Sequence, residues 1–108
     1  MYMRKGIVLL ASGAVLVASA VARNKGDSAQ GKNVFEQCAV CHNTETGEKK
    51  VGPSLKGLFQ HSKLKNGKRV ADENVLAVIN SGGGGMPAFA DSLSQEEKDD
   101  LLAFLHPI

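Results

Sequence analysis

The sequence predicts an all-α domain of about three to four helices and long loops, wrapped around an apolar body that the side chains do not supply. Three observations lead there. Apolar residues recur at helical spacing behind recognisable capping residues, and no run alternates in the manner of a strand. Residues 49–70 carry Gly52, Pro53, Gly57 and Gly67 without a sustained period, and so long a loop ordinarily encloses something. Aromatic content is 5% with no Trp, which makes a thin core for a chain of 108 residues.

Met1 to Lys5 is a short basic start, and Gly6 to Val21 is uncharged and rich in small and aliphatic residues. Small residues at Ala18, Ala20 and Ala22 offer cleavage sites, so residues 1–22 read as a secretory signal peptide. The alternative is a retained N-terminal membrane anchor. A helix from Ile7 to Ala22 rises about 24 Å, short of the roughly 30 Å hydrocarbon layer but within reach of bilayer thinning. Either way the remainder works outside the cytoplasm, in the periplasm or on the outer face of the membrane. Residues 23–30 read as a polar linker and 31–108 as the working domain.

Asp27-x-x-Gln30 caps a first helix running through Val34 and Phe35 into the cysteine stretch. One turn of helix is expected within residues 53–59. Asp72 starts a second long helix with Val75, Leu76 and Ile79 on one face, stopped at Ser81-Gly82. Ser94-x-x-Glu97 is a capping box for the last helix, with Leu101, Leu102 and Leu105 inward and Pro107 ending it.

Without Arg4 and Lys5, eleven basic residues face eleven acidic ones. The basic residues cluster between Lys49 and Arg69, and the acids between Asp91 and Asp100. Solvated faces and a docking dipole fit this equally well. Nucleic acid is a poor partner, because no aromatics interleave with the basic stretch.

The chemistry sits in Gln37-Cys38-Ala39-Val40-Cys41-His42, which holds the only two cysteines. Cysteines three apart with a histidine four beyond the first share one face of a helical turn. That C-x-x-C-H spacing is the attachment signal for c-type haem, with thioether bonds from Cys38 and Cys41 and His42 as axial ligand. A thioredoxin-like pair expects a βαβ setting, and zinc would need two more ligands where only His61 and His106 remain. A disulfide closing so small a loop would stabilise little.

A second axial ligand has one methionine to draw on outside the export segment, Met86, after Gly82-Gly83-Gly84-Gly85 and before Pro87. The glycines permit close backbone approaches, and Pro87 holds Met86 extended. Its rival is His61. Taken alone, Met86 also reads as core filler and His61 as a surface histidine.

Gly31-Lys32-Asn33-Val34-Phe35, the C-x-x-C-H segment, Val51-Gly52-Pro53-Ser54-Leu55-Lys56-Gly57-Leu58-Phe59, Met86-Pro87-Ala88-Phe89 and the closing helix occur in an order that resembles class I cytochromes c, over about Gly31 to Leu105. The Met-Pro form with its glycine run is more similar to short bacterial members than to mitochondrial ones. The resemblance implies a cytochrome c fold around one covalently attached haem, first and last helices crossing where Gly31 and Phe35 meet Leu102 and Leu105. It implies that the Pro53 carbonyl accepts from His42 Nδ1 and that Leu55 and Leu58 line the pocket. It implies a non-enzymatic one-electron carrier between a donor and an acceptor protein, or a membrane-anchored subunit relaying electrons within a larger complex. Partners would dock beside Ala39, Val40 and residues 82–88, with Lys49, Lys50 and Lys56 at the rim, and membrane contact would run through residues 1–22. The tryptophan and tyrosines that hold a propionate in mitochondrial relatives are missing, since the only Tyr is Tyr2.

Overall fold

The structure, a computed structural model, describes residues 26–108; the export segment read at 1–22 lies outside them. Among the described residues three α-helices make the frame, α1 (Ser28–Phe35), α2 (Asp72–Ser81) and α3 (Gln95–Leu105), with one 3-10 turn at Leu58–Gln60.

Asp27 ends the extended approach to α1, and its carboxylate accepts from the Ala29 and Gln30 N–H groups at 2.9 and 3.3 Å. These are two of the amides that a helix start leaves without an internal partner. The helix closes at Phe35, sooner than its periodicity suggests. The chain nevertheless continues to coil, with Ala39 N–H donating to Phe35 O and His42 N–H to Cys38 O at 2.9 Å each. Tighter bonds from Cys38 N–H to Phe35 O and from Cys41 N–H to Cys38 O interleave with them, turning the regular helix into successive turns.

The capping box of α3 is present in both directions: Glu97 N–H donates to Ser94 Oγ at 3.1 Å, and Ser94 N–H donates to the Glu97 carboxylate at 2.9 Å. One face of α3 then buries Leu101, Leu102 and Leu105 against Phe35 of α1, Val75 and Ile79 of α2, and Leu93. These seven side chains are the whole of the buried apolar core among the described residues, and of them Leu101 is fully enclosed.

The α1/α3 crossing is set by glycine. A Cβ on Gly31 would collide with the Asp100 carbonyl and lie 2.8 Å from Phe104 Cβ. The expected meeting point was Leu102 and Leu105. Backbone-to-backbone approach moves the contact of Gly31 itself to Asp100 and Phe104, while Phe35 shares the core with Leu102 and Leu105 and sets its ring 5.2 Å from that of Phe104, tilted by 43°. Gly26 is equally pressed on the Asp99 carbonyl, and Asp27 N–H donates to Asp100 Oδ1 at 2.7 Å. The stretch 26–30, read as linker, is therefore docked on α3.

Between α1 and α2 the single turn of helix falls at 58–60, later than expected, because Gly57 takes a left-handed φ of 69° and starts it. Beyond it the chain makes a small reversal, in which Leu64 N–H donates to Lys68 O at 2.8 Å and Val70 N–H to Ser62 O at 3.0 Å. The C-terminus clips this region. Gly57 N–H donates to Ile108 O at 2.9 Å, and His106 stacks on Phe59 at 3.8 Å while donating to Asp72 at 2.6 Å.

Candidate haem site

The turns after α1 bring Cys38, Cys41 and His42 together, all half-buried, with the two thiols unbridged. Burial pushes the Cys38 thiol up from its ordinary value, and the neighbouring Cys41 adds in the same direction.

His42 is held from two sides. Its Nδ1 lies 2.7 Å from the Pro53 carbonyl oxygen. A carbonyl can only accept, so Nδ1 carries the proton and the lone pair is left on Nε2, the nitrogen then free to bind a metal. Gly52 packs beneath the ring, where a Cβ would stand 2.6 Å from Cε1. The loop that brings Pro53 there is anchored at three points. Gly52 N–H donates to Cys41 O and Leu55 N–H to Asn43 O, each at 2.8 Å, and Ser54 Oγ donates to Thr46 O at 2.6 Å.

Met86 arrives on a hairpin of its own. Gly83 N–H donates to Met86 O at 2.9 Å and Met86 N–H returns to Gly83 O at 3.0 Å, around Gly84 and Gly85 at φ 62° and 96°. Positive φ at both central residues is the two-residue turn that glycine alone makes without strain. Gly82, at φ 63° and ψ −149°, takes a conformation almost confined to glycine, and a Cβ there would strike the Met86 carbonyl. Phe89 N–H and Ala90 N–H then donate to Ile79 O and Asn80 O, tying the far side of the loop to the end of α2. Among the described residues, the Asn80 Oδ1 is a buried side-chain oxygen without a hydrogen-bond partner, placed at the base of this loop.

Met86 packs against the core, whereas His61 is exposed beside the 3-10 turn. Leu55, Leu58, Leu64, Val70, Leu76 and Phe89 also touch the core, yet each remains only partly buried. A thin core bordered by this many half-covered apolar side chains fits a flat apolar macrocycle, and the donor set of two thiols, one oriented imidazole and one thioether fits its substituents and iron. Reading the sequence missed Leu93 in the core, the His106–Asp72 contact and the burial of Lys98. Only for Lys98 was a signal present, its place three residues before Leu101 in the α3 stripe.

The comparisons with known proteins agree. Residues 26–105 match the family described as cytochrome C oxidase, cbb3-type, subunit III. A cytochrome c2 from Blastochloris viridis is 47% identical over 62 residues, covering 56% of this chain and 49% of that protein. Alignment with a second cytochrome c2, from Rhodospirillum rubrum, spans 46% of it, so such matches reach about half the length of these relatives. The cytochrome c2 of Rhodomicrobium vannielii aligns over 94% of both chains at 31% identity. Among solved structures, a cytochrome c6 from the diatom Phaeodactylum tricornutum superposes with a TM-score of 0.59 at 25% identity, covering 74% of this chain and 91% of that one. The expected all-α cytochrome c fold and a single covalent haem c, with Cys38 and Cys41 at its attachment spacing, follow from these matches. The chain belongs to the cytochrome c family, as a class I monohaem c-type cytochrome.

Proposed function

We propose that the protein is a one-electron carrier with His42 and Met86 as the axial ligands of its haem, working between redox proteins on the exported side of the membrane. When bound, the iron supplies reversible one-electron chemistry. The observation that carries the reading is the Nδ1 hydrogen bond of His42 to Pro53, which leaves the Nε2 lone pair free for a metal and would raise its basicity. Met86, presented by a hairpin that closes through its own backbone, contributes a neutral soft sulfur, and such a ligand favours the reduced state. His42 and Met86 would together hold the iron and leave no coordination site for a substrate, which supports electron transfer rather than catalysis. Leu55 and Leu58, half-buried against the core, would line the haem pocket.

The docking surface proposed for partners lies at the cysteine segment. Val40 and Val51 are exposed at 71% and 77%, and Lys50 reaches from beside Val51 to the Ala39 carbonyl at 2.7 Å. An apolar centre edged by Lys49 and Lys50 suits a partner with an apolar patch and acidic rim. No helix among the described residues is long and apolar enough to cross a membrane. The family description, an oxidase subunit, favours a second reading, a relay subunit tethered through residues 1–22. Mass spectrometry of the native protein separates the two, since the tethered form retains those residues.

Replacing Met86 by Ala tests the ligand assignment. The variant should lose the sulfur-to-iron charge-transfer band of the oxidised protein and bind carbon monoxide when reduced. A spectrum indistinguishable from wild type would move the ligand to His61.

A further inference from the structure

One position on the buried face of α3 is out of character. That face consists of residues 98, 101, 102 and 105, and three of them are leucine while the first is lysine. Leucine at 98 would continue the stripe at no electrostatic cost. Lysine must order a four-carbon stem against the core and find an acceptor for its amine. Lys98 is nevertheless only 8% exposed, and its Nζ donates to the Ala90 carbonyl oxygen at 3.0 Å.

Ala90 lies four residues beyond Met86, at the exit of the methionine loop. The backbone bonds holding that loop run to itself, through Gly83, and to α2, through Phe89 N–H to Ile79 O and Ala90 N–H to Asn80 O. Lys98 adds a tie from the third helix, so the loop exit is held between α2 and α3. A thioether is a neutral ligand, and its hold on a metal depends on how rigidly the chain presents it.

We propose that Lys98 is a positioning residue for Met86, acting through Ala90 to hold the methionine loop closed; this rests on the reading of Met86 as an axial ligand. The idea separates local hold from global stability. Lys98→Leu completes the apolar stripe and leaves no amine to satisfy, so global stability should stay level or rise while the loop loosens. Loss of one hydrogen bond corresponds to a rise of about three- to tenfold in the open population of the loop.

The experiment uses the full haem-bearing protein. Imidazole affinity of the oxidised form, read from the Soret band, reports how readily Met86 leaves, and guanidinium unfolding reports global stability. Lys98→Leu should bind imidazole about three- to tenfold more tightly with an unchanged or higher unfolding midpoint, and Lys98→Gln, which keeps an N–H donor, should fall nearer to wild type. Lys98→Met, which keeps the stem length, gives the same reading should the leucine variant not hold its fold. Wild-type imidazole affinity in the leucine and methionine variants overturns the proposal, whatever their stability. A wild-type protein that lacks the charge-transfer band and binds imidazole without competition overturns the Met86 assignment itself, and is distinguished by appearing before any substitution is made.

Discussion

Gly52 lies flat against the His42 ring, leaving room for a hydrogen and no more: a Cβ at residue 52 would stand 2.6 Å from Cε1 and 3.0 Å from Nδ1. The same ring is tied through Nδ1 to Pro53, the next residue in the chain. Orientation of the proposed iron ligand thus comes from one short peptide segment that both supports the ring and accepts its hydrogen bond.

Substituting Gly52 by Ala should therefore turn or push the imidazole. Overpacking of this kind costs about 1–3 kcal/mol, equivalent to a fall of very roughly 5–20 °C in melting temperature for a domain of this size. The reduction potential should change with it, because the Nδ1 bond that tunes the ligand is strained. Thermal melting together with redox titration checks this; no change in either would mean that the 50–53 backbone yields and the ring stays put.

Gly82 and Gly84 lie two residues apart in the same run and should answer very differently to alanine. Gly84 has open space around its missing Cβ and a left-handed φ of 62°, so Gly84→Ala costs about 1–2 kcal/mol of backbone preference and leaves Met86 in place. Gly82→Ala meets the carbonyls of Met86 and Pro87 and needs a backbone region almost closed to alanine. The charge-transfer band should survive the first substitution and disappear in the second. Equal behaviour of the two variants would remove the hairpin from the account of how Met86 is presented.

Haem removal is expected to unmake the fold. Seven buried apolar side chains and three helices of 8 to 11 residues are a small core among the described residues, and helices this short are marginal alone. Cys38→Ala with Cys41→Ala, expressed in the cytoplasm, should show little helix by circular dichroism until haem is added. In the native protein the attachment should resist acid-acetone extraction. A cooperatively melting haem-free chain, or colour lost to the solvent, contradicts the corresponding claim.

The sequence alone was enough for whatever depends on neighbours along the chain. The span of α2, the capping box of α3, the C-x-x-C-H turn and the glycine run before Met86 are all read from residues within a few positions of one another. Conformational preference and local hydrogen bonding act at that range, so residue types report them directly. The tertiary structure alone decided where segments remote in sequence meet. Gly26 and Gly31 draw α1 onto the backbone of Asp99 and Asp100, which moves the contact of Gly31 and turns an expected linker into packed chain. The 3-10 turn starts at Gly57, whose amide is bonded to the C-terminal Ile108. Lys98 counts as one more solvated charge in an acidic stretch until Ala90, eight residues away through a turn, supplies a backbone acceptor for its amine. Whether a polar group is buried depends on the partner that the folded chain brings to it, and residue type carries no record of that partner.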